Sequence, residues 1–141
     1  MSTYQTEDQI RAIVEGFESC NTDKADFKHQ DHLTVAVSYL QDLTVTEATQ
    51  RLREALLRFV DHHQVDRRKY NETITIFWLE LVAEKLKDLS PSTSLIDQCN
   101  AVLDSLSNAG LPMEYYSAEL LFSDQAREAF VEPDLKQWKR N

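Results

Sequence analysis

The chain has 141 residues, of which 42% are hydrophobic and 28% are charged, a composition that fits one globular domain with its own core. Its formal net charge of -9 repels the phosphates of nucleic acids and the surface of anionic membranes, so neither is expected as a partner. Only two glycines and three prolines are present, which argues against a turn-rich all-β fold and predicts a single all-α domain over residues 1–141.

Apolar residues at helical spacing predict five or six helices in this chain. We expect the first three at about residues 6–18, 29–41 and 44–62. The third opens on the pair Thr44 and Glu47, which matches the capping-box pattern. Its apolar stripe is regular, so arginines between the apolar positions, Arg53 among them, are expected on the exposed side of this helix.

The fourth helix, at about residues 70–89, is apolar almost all the way round in its middle, which predicts a central position with neighbours on most sides. Its β-branched run at 73–76 is also compatible with a strand, but the length of the segment and its charged end favour a helix. A fifth helix is expected to end at about residue 106, followed by short helical turns and a last short helix after Ser123. The predicted architecture is therefore five to six helices packed around the fourth.

Two histidines near the start of the second helix, His29 and His32, form the most informative pattern in the sequence. Positions three apart share a face of a helix, so both imidazoles are expected to point at or near the core. They are candidates to ligate a metal together, or to orient and transfer protons as a pair. In the alternative, they only form a partly exposed helix start that Asp31 caps.

Glu72 is the candidate third member of this site. Two imidazoles and one carboxylate form the ligand set of non-haem iron and some zinc sites, so His29, His32 and Glu72 are the candidate metal ligands and a divalent transition metal the candidate cofactor. An unpaired Glu72 on an apolar face would have a raised pKa that suits general acid–base catalysis. In the alternative, Glu72 only stabilises the first turn of its helix.

Common cofactor motifs are absent. The sequence contains no Glu-x-x-His pair, no His-Glu-x-x-His and no glycine-rich phosphate loop. A di-iron carboxylate site, a zinc-peptidase site and a nucleotide cofactor are therefore not expected.

Further polar and aromatic residues are candidates for the walls of the same pocket. Tyr115 is the candidate phenol donor beside the catalytic His29, His32 and Glu72. Each of the others has a purely structural alternative: core packing for the aromatic residues, a bond back to the preceding helical turn for the threonines, and an ion pair with Glu114 or Glu119 for the arginine. The candidate ligand-binding residues are Tyr70, Thr73, Thr75, Trp78, Tyr116 and Arg127.

The pattern F-x-H-x-x-H-L at 27–33, together with Y-x-E-T-x-T at 70–75 and Y-Y-S at 115–117, resembles an uncharacterised family of small, mostly bacterial helical proteins. The resemblance extends from Phe27 to Asp134. It departs from the family at Asn71, where a histidine is expected, and this argues against a site of three histidines. The resemblance implies a helical fold and no particular activity.

No apolar run approaches the about 20 residues that cross a bilayer, and the polar, acidic N-terminus lacks the pattern of a signal peptide. The expected location is therefore the cytoplasm. Cys20 and Cys99 are not part of a Cys-x-x-Cys pair and are expected to be reduced thiols rather than a disulfide.

The leading functional hypothesis is a small-molecule enzyme with a His/His/Glu pocket between the starts of the second and fourth helices. The alternative is a non-catalytic module that binds a small molecule or a partner helix, with the histidines at the rim of its pocket or acting as a pH sensor. A third hypothesis is a homodimer formed through apolar residues near the C-terminus, such as Leu120, Leu121, Phe122 and Phe130.

Overall fold

The computed structural model describes residues 3–140, and over that range the chain is all-helical, as the sequence predicts. Five longer helices are followed by three short ones, and a 3-10 turn at Arg67–Lys69 precedes α4. None of the helices in this range combines the length and the apolar composition that a membrane-spanning segment requires. The helices are α1 (Glu7–Glu18), α2 (His29–Leu40), α3 (Val45–His62), α4 (Glu72–Lys87), α5 (Leu95–Ser105), α6 (Pro112–Tyr115), α7 (Ala118–Leu121) and α8 (Asp124–Glu128).

Local capping bonds determine where the helices around the cavity begin. Thr44 and Glu47 form the predicted capping box at the start of α3. At the start of α2, Asp31 accepts a hydrogen bond from the backbone N–H of Lys28 at 3.0 Å. Because these bonds join residues three apart, sequence alone places both helix starts within one residue of their observed positions.

Helix α4 is central, as predicted, and contacts α2, α3, α5 and α8. Its start is fixed by Asn71, whose side-chain oxygen accepts from the N–H of Ile74 at 3.0 Å. The amide nitrogen of Asn71 donates to the carbonyl of Leu121 at 2.8 Å, which ties the first turn of α4 to α7. Asn71 thus holds both the start of α4 and the position of the C-terminal segment.

Two hydrophobic clusters lie on different sides of α4. The larger one combines side chains from α1 to α5, including Leu79 and Val82 of α4. The smaller one is built on Phe77, Tyr116, Leu121 and Trp138. The tail beyond α8 closes this second cluster, because Arg140 binds both carboxylate oxygens of Glu80, at 2.6 and 2.7 Å.

Both cysteines are free and buried, as expected from their spacing. Burial raises the pKa of the Cys99 thiol to about 12, so this side chain is a protonated core residue at neutral pH.

Candidate functional site

A cavity of about 750 Å³ lies between α2, α3 and the first turns of α4. Most of its lining is apolar, with Leu33 and Ala36 from α2, Leu56 and Phe59 from α3, and Ile74 from α4. Its volume falls within the range of about 300–1,000 Å³ that is usual for small-molecule sites. Both histidines of the sequence pattern line it.

His32 faces the cavity without a protein partner. Within residues 3–140, neither of its ring nitrogens makes a hydrogen bond, and its ring packs on Phe27 with centroids 4.4 Å apart. Burial, assisted by the nearby His29, lowers the pKa of His32 to about 4. The imidazole is therefore neutral at neutral pH and offers the cavity one N–H donor and one acceptor nitrogen.

His29 is held in place by the end of α5. Its Nε2 lies 2.8 Å from the carbonyl oxygen of Leu106, and only a protonated Nε2 can form this bond. Its ring also lies 4.5 Å from that of Trp78, which lines the cavity as well. His29 therefore anchors the start of α2, and its Nδ1 is the nitrogen that remains as an acceptor when the ring is neutral.

Glu72 does not face the cavity, because Arg53 and Tyr70 bind its carboxylate. Arg53 Nε donates to both oxygens, at 2.9 and 3.1 Å, and its Nη2 donates at 2.5 Å. The Tyr70 hydroxyl donates to Oε1 at 2.6 Å. Burial alone would raise the pKa of Glu72, but the hydrogen bonds from Arg53 and Tyr70 outweigh it and the pKa is lowered. The raised pKa expected for an unpaired Glu72 is thus not found, since the carboxylate is paired.

The predicted metal set of His29, His32 and Glu72 is not assembled. Among residues 3–140, no three His, Cys, Asp or Glu side chains are placed to hold a metal ion together. The two histidines share the cavity, whereas both oxygens of Glu72 are occupied by Arg53. Of the three predicted ligands, His29 and His32 line the cavity and Glu72 does not.

Three of the predicted ligand-binding residues, Tyr70, Thr75 and Trp78, do line the cavity. The proton of Tyr70 is used on Glu72, and burial, together with this bond, raises the pKa of Tyr70. The Thr75 hydroxyl donates to the backbone carbonyl of Asn71 at 2.9 Å. Both hydroxyl oxygens keep acceptor capacity, but neither has a proton to offer a ligand.

Thr73 and Tyr116 lie away from the cavity and contact the C-terminal segment. Thr73 Oγ1 donates to the carbonyl of Ala126 at 2.7 Å and accepts from the N–H of Val131 at 3.2 Å. The Tyr116 hydroxyl donates to the Val131 carbonyl at 2.6 Å. Neither side chain lines the cavity, because both hydroxyls are already satisfied in the interface between α4 and the tail.

Tyr115 and Arg127 are also separated from the cavity. The ring of Tyr115 packs edge-on against Phe77, with centroids 5.2 Å apart, in the second cluster. Arg127 pairs with Asp124 in its own helix, rather than with Glu114 or Glu119, and donates to the Phe122 carbonyl. The sequence predicts both residues at the site, but neither of them lines the cavity.

Most of the apolar residues suggested for a dimer surface pack against other residues of the same chain. Leu121 is buried in the second cluster, and Leu120 and Phe130 are half-buried against it. Phe122 is the exposed member, at 54%.

Lys24 and Lys69 line the cavity, and sequence reasoning missed both. Both are exposed, in the loop before α2 and in the turn before α4 respectively. Neither stands in a local motif, and they are far apart in the chain, so only the packing of these segments brings them to one cavity. The pairing of Arg53 with Glu72 was missed for the same reason. The Arg53 side chain was expected to be exposed, but it is 32% exposed and packs against Glu72.

Comparisons with protein families, curated proteins and solved structures find no match to this chain. The resemblance drawn from the sequence motifs stays a prediction, and the chemistry of the site rests on its own residues.

Proposed function

We propose that this protein binds, without chemical conversion, a small and mainly apolar molecule whose inner end, beside His32, carries an uncharged polar group. The observation that carries the proposal is His32, a neutral imidazole that faces an apolar cavity without a hydrogen-bond partner among residues 3–140. The nitrogens of His32 border the cavity and are not fully enclosed, so a hydrogen bond to this ring is worth about 0.5–1.5 kcal/mol. A ligand that forms this bond would also replace any water in the apolar space.

The polar group beside His32 is uncharged because the interior of the cavity offers few donors. The protons of Tyr70 and Thr75 are committed to protein acceptors, so among the four polar side chains His32, Tyr70, Thr75 and Trp78 the donors left are the N–H groups of neutral His32 and of Trp78. A desolvated anion needs several donors or an opposite charge beside it. A hydroxyl or carbonyl needs one hydrogen bond, which His32 supplies.

Binding is favoured over the catalytic hypothesis by the basicity of His32. A general base works best when its pKa lies near the operating pH, and the pKa of His32 is about 4. Glu72, the predicted second catalytic group, is bound by Arg53 and Tyr70. The cavity therefore offers a hydrogen-bonding group rather than an acid–base pair.

The test compares 2-naphthol with naphthalene by isothermal titration calorimetry near pH 7.5. Both fit an aromatic-walled cavity, and only the first carries a hydroxyl. We expect 2-naphthol to bind about fivefold more tightly, the worth of one hydrogen bond, and His32→Leu to remove this difference.

Leu56→Trp, which places a larger side chain in the cavity, should abolish binding of both compounds. The matched control is Leu57→Trp, a change on the same helix at a half-buried residue outside the cavity lining, which should leave binding intact. Absence of binding by both compounds, or binding that survives Leu56→Trp, would refute the proposal.

A further inference from the structure

The permanently charged side chains that line the cavity are opposite in sign to the net charge of the protein. The chain has 24 acidic residues and a formal net charge of -9. Among residues 3–140, no Asp or Glu lines the cavity, and the permanently charged side chains that do are Lys24 and Lys69. A local positive charge on an acidic protein favours an anion at that place.

Neither of these two lysines forms an ion pair within the described residues. Within the described part of the chain, neither ammonium group lies within ion-pair distance of a carboxylate, whereas Lys87, Lys136 and Lys139 each pair with a glutamate. The charge of Asp66 interacts with Lys69, but both oxygens of Asp66 accept hydrogen bonds from Arg68, which is its ion-pair partner. The two ammonium groups are therefore available to a ligand.

We infer that the ligand of the proposed cavity is an amphipathic carboxylate, with its apolar body inside and its charged group at the mouth between Lys24 and Lys69. The inference rests on the proposed function and adds the class and orientation of the ligand. The interior is a poor place for the anion, since His32 there is neutral and the hydroxyls of Tyr70 and Thr75 have no proton to donate. The exposed lysines at the mouth leave the carboxylate partly hydrated, which avoids most of its desolvation penalty.

The probes are 6-hydroxy-2-naphthoate and 6-hydroxy-2-naphthamide, which differ in charge and share the ring and the hydroxyl. We expect the naphthoate to bind about fivefold more tightly, because exposed ion pairs are individually weak. Raising NaCl from about 0.1 M to about 1 M shortens the Debye length from about 10 Å to about 3 Å and should remove most of this preference.

Lys24→Gln/Lys69→Gln should remove the preference for the naphthoate over the amide. The matched control, Lys85→Gln/Lys139→Gln, alters the net charge by the same amount at two lysines outside the cavity lining and should keep the preference.

Equal affinity for the two compounds, or tighter binding of the amide, would overturn this inference and leave the proposed function standing, provided that 2-naphthol still binds. If 2-naphthol does not bind either, both proposals fail. Light scattering is the check for a second copy of the chain in the cavity: a dimer that the naphthoate dissociates would assign the cavity to that copy and also overturn the inference.

Discussion

The neutral state of His32 makes the stability of the fold depend on pH. Its pKa is about 4 in the folded protein, against 6.5 for an unperturbed histidine. Between these values the unfolded chain binds one proton more than the folded chain at this residue, so the free energy of unfolding rises with pH. The contribution is fully present above about pH 6.5 and is lost as the pH falls toward about 4.

The size of the effect follows from the shift. Each pH unit in that window changes the free energy of unfolding by about 1.36 kcal/mol. Since pH 5 lies about 1.5 units below the unperturbed pKa, His32 should account for a loss of about 2 kcal/mol between pH 7 and pH 5. His32→Leu removes the titrating group and should also raise stability at pH 7 by about 1 kcal/mol, because an apolar side chain replaces an unpaired imidazole.

Urea denaturation at pH 7 and at pH 5 measures this for the wild type and for His32→Leu. Titration of the carboxylates affects both proteins alike, so the difference between their pH-dependent losses isolates His32. His62→Gln, a change at an exposed histidine, is the control and should behave like the wild type. If His32→Leu loses as much stability as the wild type between the two pH values, His32 is not held neutral by burial and the reasoning fails.

Two further predictions concern the side chains that the structure places outside the cavity. Glu72→Gln should destabilise the fold by about 1–2 kcal/mol, because it breaks the half-buried ion pair with Arg53. A double-mutant cycle with Arg53→Met should give a coupling free energy near 1 kcal/mol. Independent effects of the two substitutions would contradict the pairing. The contribution of Glu72 is present above its unfolded pKa of about 4.5 and is lost as the pH falls through its lowered folded value. Thr73→Val should cost about 2 kcal/mol in thermal denaturation, because its hydroxyl joins α4 to the C-terminal segment; Thr75→Val, whose bond stays within its own helix, should cost less, and the reverse order would contradict this assignment.

Local signals in the sequence determined the helices and part of the site. The capping box at Thr44 and Glu47 and the apolar stripes place α3 and α2 close to their observed ends, because capping bonds and helical periodicity join residues a few positions apart. The same spacing places His29 and His32 near one face of α2, and both line the cavity. The apolar middle of α4 predicts its central position for the same reason.

The neighbours of each polar side chain were decided only by tertiary structure. Thr73 and Thr75 look alike in sequence, yet one binds the tail and the other lines the cavity, because adjacent faces of α4 meet different partners. The sequence makes Glu72 a plausible catalytic group, but in the folded protein Arg53 of α3 binds its carboxylate. Such contacts depend on the relative rotation and position of whole helices, which residue spacing within one helix does not encode.

Composition and residue spacing are therefore enough to predict an acidic all-α chain, its five longer helices and a pair of histidines on α2. The packing of distant segments makes those histidines face a cavity, binds Glu72 to Arg53 outside it, and brings Lys24 and Lys69 into its lining. The two differ in the separation of the interacting residues along the chain. Helix formation depends on bonds and side-chain spacing within a few residues, whereas a cavity and its charges arise where distant segments pack together.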